Sequence, residues 1–141
     1  MATTTNSGVA QFNFAIKQGS DFQIPMTWLD DNGNPMNLAG YSMLLQIRAF
    51  QSSSIVLLSL SSSNSSGSYI ALGGTAGTIT LIFAHADTAA LMPNGAPASN
   101  ALNTALKVGQ VGLYDLQFTD PSGNVGYLIE GSVSLDPWVT Q

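Results

Sequence analysis

The sequence predicts an all-β protein, an antiparallel β-sandwich of about seven to nine short strands with one short helix. Two observations carry that reading. Residues 114–135, YDLQFTDPSGNVGYLIEGSVSL, alternate apolar and polar side chains on both sides of a turn signal, the period of two that a half-buried hairpin requires. Upstream, several more short apolar runs recur, each closed by Gly, Pro, Asn or Asp, with one local helix pattern at 85–92. Strands without helices between them favour a sandwich over a βαβ fold.

Residues 1–10 contain no charge and one sizeable aliphatic side chain, Val9. They are expected to form a flexible N-terminal arm ahead of one domain spanning 11–141. Phe12, Phe14 and Ile16 alternate with Asn13, Ala15 and Lys17, and Gln18-Gly19-Ser20 marks a turn. Phe22, Ile24, Met26 and Trp28 share the inward face of the next strand. Pro25, opposite them, cannot donate to a ladder, which places this strand at an edge or a bulge. After the turn Asp30-Asp31-Asn32-Gly33-Asn34, Tyr41, Met43, Leu45 and Ile47 have inward parity.

The apolar run Ile55–Leu60, wrapped in serine, reads as a short strand between loops, and further strands follow at 68–72 and 78–83. HADTAALM (85–92) is a helix stopped by Pro93, and 93–110 is an insertion-like Gly/Pro/Asn-rich loop with an amphipathic pattern at 100–107. In the closing hairpin Tyr114, Leu116 and Phe118 face inward, as do Val125, Tyr127, Ile129, Val133 and Leu135. The turn Asp120-Pro121-Ser122-Gly123-Asn124 joins the two arms.

Only 8% of residues are charged, three basic against eight acidic, where about 25% is usual, so little repulsion keeps the surface apart from its neighbours. Three cations and a net charge of −5 leave no footprint for a phosphate backbone, which argues against nucleic-acid binding. A polar surface of Ser, Thr, Asn, Gln and Gly suits a protein packed against other proteins. With no cysteine there is neither a disulfide framework nor a thiolate metal site. The start, MATTTNSGVAQ, lacks the cationic and apolar regions of a signal peptide, and no apolar run approaches the ~20 residues of a membrane span.

Constellations for catalysis are weak. His85, the single histidine, precedes Asp87 by two residues, and both read as the start of the helix, where Asp87 favours the dipole. Asp115 and Glu130 are the one cross-strand carboxyl pair suited to glycoside chemistry, and their outward parity reads as a solvated position. No serine sits in a G-x-S-x-G elbow. Turn chemistry accounts for the acidic residues of DDNGN and DPSGN without calcium, and the glycines of LGGTAG (72–77) open no helix that would cradle phosphate. Trp28 and Tyr41 have core parity, leaving Trp138, after Pro137, as the exposed aromatic for a ligand. The expectation is a non-enzymatic protein without cofactor or metal.

GSDFQIPMTWLDDNGNPMNLAGYSMLLQIR (19–48) and YDLQFTDPSGNVGYLIEGSVSLDPWVT (114–140) together resemble a β-sandwich family of tailed-bacteriophage virion proteins. The pattern is similar to the N-terminal domain of baseplate upper proteins and of tail-fibre-associated proteins. Its elements here are Gly19, Asp21, Trp28, the turn from Asp30 to Gly33, Leu38-Ala39-Gly40-Tyr41 and Ile47-Arg48. ADTAAL at 86–91 and the ending Tyr114, Asp115, Leu116, Asp120, Gly123, Leu128 and Gly131 also match. The resemblance covers roughly two thirds of the chain.

That resemblance implies a virion structural protein, assembled in the host cytoplasm, that docks on the tail, baseplate or connector and mounts fibres there. Its partners would be other virion proteins and further copies of itself. Thr3, Thr4, Thr5, Asn6 and Val9, in an arm ordered by a neighbour's strand edge, and Trp138 are the candidate partner-binding residues. A capsid decoration protein is the alternative in the same class. A carbohydrate- or receptor-binding module is the alternative in another.

Overall fold

A computed structural model describes residues 3–4, 9–91 and 109–140 of the chain. It is an all-β, sandwich-like fold. One sheet has seven strands: β1 (Thr3–Thr4), β2 (Ala10–Gln11), β3 (Phe14–Lys17), β5 (Ser42–Arg48), β6 (Leu58–Ser61), β9 (Gly109–Thr119) and β10 (Val125–Asp136). The other holds β4 (Phe22–Thr27), β7 (Tyr69–Leu72) and β8 (Thr78–Phe83). A short helix, α1 (His85–Ala89), and a single 3₁₀ turn, Gly74–Ala76, are the helical elements among the described residues. The loop expected at 93–110 falls almost wholly outside them.

Alternating side chains close the core between the sheets. Leu45, Leu60 and Leu116 from the large sheet, and Ile79, Leu81 and Phe83 from the small one, are fully or almost fully buried. Phe83 stacks on Phe22 with ring centroids 4.5 Å apart, and Phe14 meets Tyr114 edge-on at 5.0 Å. Trp28 keeps its inward parity but sits at the margin, half-buried against Tyr41 and Phe118. Pro25 lies on β4, which among the described residues pairs with β8 alone; the Trp28 N–H points to β8, so the Pro25 nitrogen faces the outer edge as expected.

The sequence implied purely antiparallel pairing, but β2 and β3 run parallel to β10. No tight turn joins these strands, since almost the whole chain lies between them, so nothing forces the antiparallel sense. Tyr114 fixes this seam by donating its hydroxyl to the Phe12 carbonyl at 2.6 Å. The N-terminal arm was expected to seek a neighbour's edge. Here Thr3–Thr4 pair antiparallel with Ala10–Gln11 of the same chain, because backbone groups suffice for the bond and the nearest free edge is the chain's own.

A second difference changes which side chains reach solvent. Tyr127 is opposite Gln117 while Ile129 is opposite Leu116, which leaves Leu128 as an extra residue in a β-bulge. Before the bulge the parity is inverted, so Val125 and Tyr127, expected inside, are 59% and 45% exposed. Leu128 packs against the core instead. The run Ile55–Leu60 also divides: its strand begins at Leu58, and Ile55, Val56 and Leu57 stay in the preceding loop.

The residues behind the family resemblance build turns and caps. Asp30 and Asp120 each accept two backbone N–H bonds at 2.9 Å, from Asn32 and Asn34 and from Ser122 and Asn124. Gly33 and Gly123, with φ of 83° and 90°, take the left-handed conformation that these turns need. Asp21 accepts the His85 backbone N–H at 2.6 Å, Thr88 donates to the Ser20 carbonyl, and the Gln18 amide donates to the carbonyls of Ala89 and Leu91. The turn at 17–21 therefore clamps a helix too short to persist alone. Ala84 has no hydroxyl to cap it. Ser68 supplies one from β7's approach, accepting the Ala84 N–H and donating to Asp87.

Candidate functional site

The outer face of the seven-stranded sheet carries the most built arrangement of polar side chains. Strand register sets Gln11, Glu130, Asp115, Gln46 and Ser59 side by side on β2, β10, β9, β5 and β6, one row across five strands. At strand spacings of about 4.8 Å the row runs roughly 19 Å. A neighbouring row sets Tyr127 beside Gln117, and on the other side Arg48 lies opposite Leu113. Together with Phe50 these residues, Ser59 excepted, line an open groove of about 620 Å³, within the range of about 300–1,000 Å³ typical of ligand sites.

The bulge at Leu128 assembles this face. In a regular strand Tyr127 and Glu130 would point to opposite sides of the sheet, and the extra residue turns both outward. Side-chain hydrogen bonds then orient the groove: Gln11 Nε2 donates to Glu130 Oε2 at 3.1 Å and Gln117 Nε2 to the Tyr127 hydroxyl at 3.0 Å. Arg48 donates to Gln46 Oε1 and to the Ser53 carbonyl.

Asp115 and Glu130 are direct cross-strand partners, an arrangement of like charges that destabilises a sheet. Partial burial, and then the Glu130 charge, push the Asp115 carboxyl above its ordinary range, with Arg48 opposing. Sequence reading found the pair and its outward parity. It missed the groove, because the bulge has no signature in the alternation.

A second surface lies beside it. Among the described residues β6 pairs with β5 alone, and the loop leading into it exposes Phe50 (56%), Ile55 (67%), Val56 (36%) and Leu57 (39%). Large apolar side chains grouped this way on a nearly uncharged surface mark an interaction site.

The other predicted residues separate. His85 pairs through Nδ1 with Asp21 at 3.0 Å on the surface, and Asp87 is held by Ser68, so His85 and Asp87 form no common site. Their helix-start positions match the sequence reading. Trp138, expected exposed, is half-buried: its indole lies over Gly19, where the missing side chain leaves a slot, and its backbone N–H donates to Gln18 Oε1 at 3.4 Å. Val9 is half-buried, Thr3 and Thr4 lie in β1, and Thr5 and Asn6 fall outside the described residues.

Among the described residues no three His, Cys, Asp or Glu side chains gather as metal ligands, and no helix is long and apolar enough to cross a membrane. No model of a known protein family matches the chain, and no curated protein sequence is significantly similar to it.

Proposed function

We propose that this chain is a non-enzymatic structural protein of a tailed-bacteriophage particle, docking on the tail, baseplate or connector and holding fibres there. The observation that carries the reading is the apolar loop leading into β6, with Phe50, Ile55, Val56 and Leu57 exposed in a chain of which only 8% of residues are charged. A free monomer gains nothing from that exposure, whereas a docked subunit buries it. Among the described residues β6 is the last strand of its sheet, and its outer backbone offers a partner strand hydrogen bonds that need no particular side chain. Motif residues that resemble the virion family serve as turns and caps, which suits a protein whose task is to hold shape.

The mechanism is static adhesion. Each copy contributes a modest interface, and repetition around a symmetric particle multiplies it. The test is incorporation of an Ile55→Ser, Leu57→Ser double variant. Both side chains are substantially exposed, so the isolated protein keeps its melting temperature while its copy number in purified particles falls sharply. Wild-type incorporation of the folded double variant would refute the docking role of the loop.

A further inference from the structure

We propose that the groove on the outer face of the seven-stranded sheet binds a neutral oligosaccharide. The inference does not rest on particle docking: the groove and the apolar loop meet at Phe50, but the polar side chains that define the groove lie outside the loop, and Ile55, Val56 and Leu57 lie outside the groove.

The lining is a lattice of planar hydrogen-bonding groups. The amides of Gln11 and Gln46 flank the adjacent carboxylates of Glu130 and Asp115 in one row, with Gln117 and Arg48 in the rows on either side, all fixed by strand register. A sugar's vicinal hydroxyls both donate and accept, so adjacent hydroxyls match a carboxylate on one side and an amide or guanidinium N–H on the other. Tyr127 and Phe50, 45% and 56% exposed, offer aromatic faces for the C–H face of a pyranose ring. The ring of Tyr127 is held by its bond to Gln117, so little order has to be imposed on binding. A row running roughly 19 Å at the usual strand spacing suits several linked units better than a single sugar.

Competing occupants fit less well. Asp115 and Glu130 outnumber Arg48, so phosphate or an acidic sugar meets net repulsion. Leu44 and Leu113 also line the groove, but the Gln46–Asp115 row lies between them, so a lipid chain finds no continuous apolar strip. A peptide strand finds no edge there, since β2, β10, β9, β5 and β6 are already paired with one another beneath the groove. Facing Asp115 with Glu130 breaks a local rule of sheet stability. Rules of that kind are broken most often where function requires it, and hydroxyl donors relieve the repulsion without a metal.

The test uses the purified full chain and a panel of neutral hexasaccharides: maltohexaose, cellohexaose, laminarihexaose, mannohexaose and chitohexaose. Oligogalacturonate and hexalysine serve as controls. In NMR titrations at least one neutral hexasaccharide shifts the side-chain amide signals of Gln11, Gln46 and Gln117. Tyr127→Ala weakens that binding about tenfold, the loss of one aromatic face. Gln117→Ala, which removes a groove amide and frees the Tyr127 ring, weakens it as well. Both positions lie on the outer face, so melting curves of the two variants stay close to wild type, and the Ile55→Ser, Leu57→Ser variant binds like wild type. Silence of the whole neutral panel, undiminished binding by Tyr127→Ala, or stronger binding of either control at the groove overturns the proposal. None of these results bears on incorporation into particles.

Discussion

Gly112→Ala tests how tightly the large sheet is closed beside the groove. Gly112 lies in β9 opposite Val133. A Cβ built there falls 2.0 Å from the Arg48 carbonyl oxygen and 2.7 Å from its carbon. The obstacle is backbone, at the last register pair between β5 and β9, Arg48 with Leu113. Reaching ordinary contact requires that strand end to move outward by about 1.4 Å, which loosens the packing of Ile47 and Val111 and strains the neighbouring hydrogen bonds. Overpacking costs about 1–3 kcal/mol and a weakened buried hydrogen bond about 1 kcal/mol more, so the expected loss is about 2–4 kcal/mol. In a domain of this size that lowers the melting temperature by about 6–15 °C.

Gly33→Ala is the control. Nothing lies within 4 Å of its added Cβ, but its φ is +83°, so it bears backbone strain alone, about 1–2 kcal/mol. Guanidinium unfolding with both variants measures the order. A Gly112→Ala protein within about 0.5 kcal/mol of wild type would show that the two strands are not held this closely.

Tyr114→Phe removes the 2.6 Å bond to the Phe12 carbonyl and should cost about 1–2 kcal/mol in urea, with faster hydrogen exchange from Phe14 to Lys17. Unchanged exchange there would remove Tyr114 as the fastener of the parallel seam. Asp115→Asn should stabilise the protein at pH 7. The folded carboxyl binds its proton more tightly than the unfolded one, so ionised Asp115 costs stability above its raised pKa, a cost that disappears once pH falls below 3.8. Equal effects at pH 7 and in acid would contradict the cross-strand repulsion.

Asp120 behaves in the opposite sense. Backbone N–H groups, that of Asn124 foremost, hold its carboxyl below the ordinary 3.8. Its contribution is therefore present above pH 3.8 and is lost as pH falls through the lower folded value. Asp120→Ala should flatten that acid limb in thermal melts, and an unaltered limb would place the acid sensitivity elsewhere.

Much of the architecture was legible because burial on one face writes itself into a period of two. Met43, Leu45, Ile47 and Leu116 were readable as core from parity alone, and Pro25 marked its edge strand through a missing donor. The twin Asp-x-x-Gly-Asn turns were equally plain, since their bonds lie within five residues. What stayed hidden depends on partners distant in sequence. The bulge at Leu128 is set by pairing with Gln117 and Leu116, so Tyr127 seemed to belong to the core. Trp138 looked exposed because its slot is the bare backbone of Gly19, far away in the chain. Asp115 and Glu130 were visible as a pair, but Gln11 and Gln46 join their row only through the sheet.

The most direct test of the proposed structural role is peptide mass spectrometry of density-gradient-purified particles from cells in which the genome that encodes the chain is expressed. The account predicts that the chain bands with intact particles, at a copy number that is a whole multiple of the tail or connector symmetry, and withstands a high-salt wash because an apolar interface holds it. Expression in the lysate with no peptide in the purified particles would contradict it.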